Sequence, residues 1–262
     1  MPNHDSAVST LLKGLWCTVI MFALGGCEDL PAIVAKNPET LNGSEFFRFQ
    51  FKGHEDIILF AGREVTCGEF CEFLDDVAYQ REPLVVRHYQ PQYCPSSPES
   101  ANFTSVYLVE HRESNVTRKD GRFMPRGESS ESVNCITFFG AQAYCEWLGS
   151  RLGKKVTLPS DKIWLACAKV AQRDNLLIVG CPGGVWEWCS DVVCPKDDSL
   201  SAKAVVRGGE YFSRRRAHIT DKAYSLFLSG GEGEQGQGLR VVISEKSDGR
   251  DRGGATPSAG VK

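Results

Sequence analysis

Gly183-Gly184-Val185-Trp186-Glu187-Trp188-Cys189-Ser190-Asp191 is followed by Arg207-Gly208-Gly209 and later by Gly238-Leu239-Arg240. In the first stretch a single acid sits between two indoles. Trp186 and Trp188 read as core residues, and Glu187 as a buried acid satisfied by hydrogen bonds, because an internal carboxylate without partners is costly. Arg240 belongs with the same core. The interval between the second and third motifs, Glu210 to Gln237, contains no cysteine, and none follows Cys194 anywhere in the chain.

Working outward, Val133-Asn134-Cys135-Ile136-Thr137 leads into a helix predicted over Phe138 to Leu152. Thr137 is its N-cap, Ala141, Tyr144, Cys145 and Leu148 form its buried stripe, and Gly153 stops it. Ser160 is placed to cap a further short helix that carries Trp164. Upstream, Thr66 and Glu69 have capping-box spacing, and Phe70, Phe73 and Leu74 then fall on one helical face. Phe47 to Phe51 alternates as a half-buried strand does, and Ile57 to Phe60 is a second short apolar run. Leu84 to Val86 and Ser105 to Val109 also read as strands, in a region from 82 to 132 that is otherwise hard to read.

Together these motifs resemble the formylglycine-generating, or sulfatase-modifying factor, domain family. Arg63-Glu64-Val65-Thr66 resembles the family's opening helix signature. Ala141, Ala143, Tyr144, Cys145, Trp147, Leu148, Gly149, Arg151, Leu152, Leu158, Pro159, Trp164 and Ala166 fall in register with its longest motif. The resemblance implies a single α+β domain of C-type-lectin-like fold with much irregular structure and a core built on Trp147, Trp164, Trp186, Trp188 and Arg240.

The resemblance also implies an activity that these residues do not supply. Active members hold Cu(I) between two cysteines lying between the RGG and GFR-like motifs, where soft thiolates suit the soft ion. Here the corresponding positions fall near His218 and Ala223. A lone imidazole without a thiolate partner does not make that site. An iron enzyme would need a histidine triad, and His54, His88, His111 and His218 are far apart. The family often binds calcium at the "GN-x-W-E-W" turn. Gly184 replaces the asparagine and Glu187 survives, leaving a weak calcium candidate. What is left is a binding face, expected at Arg207, Glu210, Tyr211, Arg214, Arg215 and His218, since tyrosine and arginine are frequent anchors of interfaces.

Composition narrows the partners. With 262 residues, a net charge of −3 and a pI of about 6.0, the chain has no broad basic face, which argues against nucleic acid. Lys13 and the apolar run Leu15 to Leu24 read as a signal peptide over residues 1–26. Leu24-Gly25-Gly26-Cys27 resembles a bacterial lipobox, making Cys27 the expected lipidation site and the cell envelope the expected location. Of 11 cysteines, nine remain beyond Cys17 and Cys27. Such a density in an exported chain is expected to form disulfides, with at least one thiol left over. Cys67 and Cys71, on one helix, are expected to bond elsewhere rather than to each other.

The predicted layout is a linker over 27–44, a folded domain over 45–243 and a disordered tail over 244–262. The leading functional expectation is a non-catalytic, membrane-anchored binding or scaffold lipoprotein with an envelope protein or peptide partner. The alternatives are an enzyme of divergent chemistry on the same frame and a lectin-like ligand receptor.

Overall fold

Three strands open the ordered chain: β1 (Ala32–Leu41), β2 (Ser44–Gln50) and β3 (Asp56–Ala61). Helix α1 (Cys67–Asp76) follows, then β4 (Val85–Arg87), β5 (Ser105–Tyr107), β6 (Val116–Lys119) and β7 (Arg122–Pro125). Next come α2 (Phe138–Leu152), β8 (Lys155–Thr157), α3 (Asp161–Asp174), β9 (Trp186–Val193), β10 (Lys203–Gly208), β11 (Lys222–Leu226), β12 (Gln237–Gly238) and β13 (Val242–Lys246). This computed structural model describes residues 30–76, 114–178, 180, 184–193, 203–209 and 236–246, with the backbone alone of 85–87, 105–107 and 222–226. The predicted signal peptide, Cys27 and residues 247–262 lie outside the described residues. No described helix is long and apolar enough to cross a membrane.

Two sheets frame the core. The larger has five strands in the order β1-β2-β3-β13-β8, and the smaller has four in the order β11-β10-β9-β12. Every pairing in the first is antiparallel, and β12 runs parallel to β9 in the second. The last described strand, β13, inserts between β3 and β8, pairing Val242 with both Phe60 and Thr157. Phe46, Leu59, Phe70, Phe73, Phe138, Tyr144, Trp188 and Ile243 are buried together where the sheets meet the helices.

Helix boundaries follow their caps. The Thr137 hydroxyl accepts from the Gly140 amide and Gly153 ends α2 in the left-handed region. Ser160 caps α3 in the same way, but that helix runs 14 residues rather than a short turn. In α1 the capping box is reciprocal: Glu69 N donates to Thr66 Oγ1, and the Glu69 carboxylate accepts from Thr66 N at 2.9 Å. The region that was hard to read contains a hairpin, β6–β7, turning through Asp120 and Gly121.

Three expectations are corrected. The predicted linker contains β1, a ten-residue edge strand whose Pro38 is tolerated because the register shifts between Ala35 and Glu39. The predicted tail begins too early, because Ser244, Glu245 and Lys246 continue β13, with Glu245 paired to Arg48 and Lys154. Disulfides are not formed by Cys67, Cys71, Cys145 or Cys189, which are buried free thiols. Burial, with neighbouring negative charge, pushes Cys67 and Cys71 up to about 12 and also raises Cys145 and Cys189, which disfavours the reactive thiolate. The reason is their placement: Cys67, Cys71 and Cys145 lie in the apolar core among aromatic side chains.

Candidate functional site

The smaller sheet delivers its central acid to the core. Glu187 opens the buried part of β9, and the parallel pairing of Gly238 with Glu187 brings Arg240, two residues on, to the same place. Both side chains are fully buried. Arg240 Nε donates to the two Glu187 oxygens at 3.1 and 3.0 Å, and Nη2 donates to Oε1 at 2.7 Å. Nη1 donates to the Ala61 carbonyl at 2.9 Å, which ties the pair to the larger sheet. Trp164 Nε1 adds a bond to Glu187 Oε2 at 2.6 Å. Such a pair is costly to desolvate and tolerable only with its lone pairs filled, as they are here.

A second acid, not singled out from the sequence, joins this centre. Glu64 is 3% exposed. Its Oε1 accepts from Val185 N at 3.0 Å, and its Oε2 lies 2.6 Å from Ser132 Oγ. Burial, and then the nearby negative charge of Glu187, push its carboxyl up to about 7, against the pull of Arg240 and the two hydrogen bonds. Gly184 has a φ of +68°, and a Cβ there would lie 2.0 Å from Glu64 Oε1. The only hint in the sequence was Glu64's place in the opening signature.

An asparagine clasp holds the segment beside this acid. Asn115 N donates to Asn134 Oδ1 at 3.1 Å and Asn134 N donates to Asn115 Oδ1 at 3.0 Å. Asn115 Nδ2 also donates to the Ser132 carbonyl at 2.9 Å. These bonds fix Ser132 and the approach to α2, where Trp188 Nε1 donates to the Ile136 carbonyl at 2.9 Å. Trp147, at the edge of the core, donates to Asp76 Oδ2 at 2.6 Å.

The Arg-Gly-Gly motif is structural here. Arg207, expected on a binding face, is 5% exposed, and its Nε donates to Asp161 Oδ1 at 2.6 Å. Position in β10 explains this: the register sets Arg207 opposite Glu187, so its side chain is covered rather than presented. Gly209 has a φ of +79°, and any Cβ would lie 2.4 Å from the half-buried Trp186 indole, so only glycine lets the chain cross that ring. Glu210, Tyr211, Arg214, Arg215 and His218 lie outside the described residues. Ala223 lies in β11, opposite Val206.

The donor sets do not favour a metal. Both Glu187 oxygens are committed to Arg240 and Trp164, so the carboxylate is an internal counter-ion rather than a calcium ligand. Among the described residues no group of three or more His, Cys, Asp or Glu could hold a metal ion. No cysteine follows Cys194 in the sequence, and His218 lies outside the described residues.

Residues 59–179 match the model of the sulfatase-modifying factor enzyme 1-like domain. Over those residues the chain is similar to that domain family. The match contains the Glu64 segment, the asparagine clasp, α2 and α3, and it ends before β9. No curated protein matches the chain. Among solved structures, PvdO from Pseudomonas aeruginosa is similar at 13% identity and a TM-score of 0.42, over 72% of this chain and 81% of that one. Treponema denticola variable protein 1 is similar at 12% identity and a TM-score of 0.45, over 79% of this chain and 98% of that one.

Proposed function

We propose that this sulfatase-modifying-factor-like domain is a non-catalytic binding or scaffold module of a bacterial lipoprotein, held at the envelope membrane by an acylated Cys27. One observation carries the reading: no cysteine follows Cys194, so the interval that holds copper in the active enzymes has no thiolate. The frame around that interval is intact but turned inward. Glu187, Arg240 and Arg207 spend their charges on one another and on Asp161, which supports a scaffold more than a reaction centre. The C-type-lectin-like frame would then present Glu210, Tyr211, Arg214, Arg215 and His218 to an envelope protein or peptide. The acyl chains would stabilise membrane attachment by about 0.8 kcal/mol for each buried methylene.

Two measurements test this. The chain without residues 1–27, given Cu(I), oxygen and a cysteine peptide from a sulfatase, is expected to form no aldehyde. Turnover to formylglycine would overturn the non-catalytic reading. In cells, Cys27→Ala is expected to move the protein from the membrane to the soluble fraction. Unchanged fractionation, with no acyl chain found on the wild type, would remove the anchor.

A further inference from the structure

Three ionisable side chains from separate segments converge in the interior: Glu64 ahead of α1, Glu187 in β9 and Arg240 after β12. They are 3%, 0% and 0% exposed. Arg240 is bound through Nε and Nη2 to Glu187 and through Nη1 to the Ala61 carbonyl. Glu64 makes its own bonds to Ser132 and Val185. The charged groups that face Glu64 are Glu187 and Arg240. With both carboxylates ionised, the centre would hold two negative charges against one positive charge, an imbalance that is costly for groups so deeply buried.

The bonds from Ser132 and Val185 favour the ionised form, as Arg240 does, and burial beside Glu187 outweighs them. Once protonated at Oε2, the acid can keep both contacts by donating to Ser132 Oγ, which then turns its own hydrogen away, while Oε1 still accepts from Val185 N. The backbone is pressed against this carboxyl: a Cβ at Gly180 would come within 2.6 Å of it and one at Gly184 within 2.0 Å. The contact therefore fastens the turn entering β9 to the segment entering α1. We infer that Glu64 is a carboxylic acid in the folded domain, and that its proton makes the joint between these two segments responsive to pH. Acid tightens the joint, and loss of the proton weakens it by leaving an unbalanced charge inside. This inference stands whether or not the domain is a scaffold.

Linkage gives the sign. An acid whose folded value lies above its unfolded one adds stability that is fully present below the unfolded value and is lost as pH rises through the folded one. For Glu64 that window runs from the ordinary carboxyl value of 4.5 to about 7. The test is denaturant unfolding of the full chain and of Glu64→Gln across this window. The ratio of their folding constants, wild type over variant, is expected to fall roughly ten-fold per pH unit through the window and to level off on either side. A ratio that does not change with pH would overturn the inference. Should Glu64→Gln fail to fold, infrared difference spectra of glutamate-labelled wild-type chain decide. A protonated-carboxyl carbonyl band at about pH 6 that titrates near neutrality supports the proposal, and its absence defeats it.

Discussion

Arg240 is the residue on which the centre most depends. Its guanidinium binds Glu187 through two nitrogens and the Ala61 carbonyl through the third. Removing one partner of a buried pair strands the other, so Arg240→Met is expected to lower unfolding stability by about 3–5 kcal/mol. Arg240→Met combined with Glu187→Leu should recover part of that loss, and denaturant unfolding of the four proteins in the cycle measures the coupling. Gly184 follows the same logic by different means. Glu64 Oε1 occupies the space where a Cβ at this position would stand, so glycine makes room for that carboxyl. Gly184→Ala is expected to cost at least about 1 kcal/mol, from the positive φ as well as the clash, and to cost less when Glu64 is also shortened. Little of this was legible beforehand. Trp164, Trp188 and Arg240 stand out in a sequence because they are large or sit in short motifs. Glu64 is one acid among many on a charged chain, and its meaning depends on Gly184 and Val185, more than a hundred residues away.

Elements whose ends are chemically marked could be read well. Thr137, Gly153 and Ser160 each satisfy backbone groups that the helix leaves open, and such caps announce themselves in a few residues. The α1 capping box is also a pH-sensitive device. Burial alone would raise Glu69, but the hydrogen bonds from Arg63 and Thr66 outweigh it and hold its carboxyl below the usual range. Its contribution is complete above the ordinary carboxylate value and is lost as pH falls through the lowered one. Glu69→Gln should therefore cost on the order of 1 kcal/mol near neutrality and progressively less in acid, as thermal unfolding at several pH values would register. Strands were harder to read. β1 has a proline and a shifted register, so its alternation breaks where a reader would look for it. The β6–β7 hairpin sets Lys119 directly opposite Arg122 beside an Asp120-Gly121 turn. Like charges so placed repel, and Lys119→Glu is expected to stabilise the domain by about 0.2–1 kcal/mol at low salt, with the gain shrinking as salt is added.

At the scale of the whole molecule, the cysteines were the misleading signal. Density in an exported chain argued for cross-links, but Cys67, Cys71, Cys145 and Cys189 serve as small apolar side chains of the interior. These four should resist alkylation in the native protein and react completely once it is unfolded without reductant, with mass spectrometry counting the adducts. Failure to react after unfolding would mean that they are oxidised after all. The α+β frame itself came through in the sequence because its densest motifs lie on α2, α3 and β9, which carry the buried indoles Trp147, Trp164 and Trp188. The larger sheet did not, because its order, β1-β2-β3-β13-β8, joins the first described strands to the last and no local pattern encodes so distant a pairing.

That sheet has one more consequence. Its penultimate place belongs to the last described strand, Val242 to Lys246, wedged between neighbours made long before it. A polypeptide made N-terminus first reaches those five residues only after every other described strand and helix. Until then β3 and β8 have no common neighbour, Arg240 has not arrived to neutralise Glu187, and the interior stays open. Closure is thereby timed by the geometry to the arrival of a single short segment.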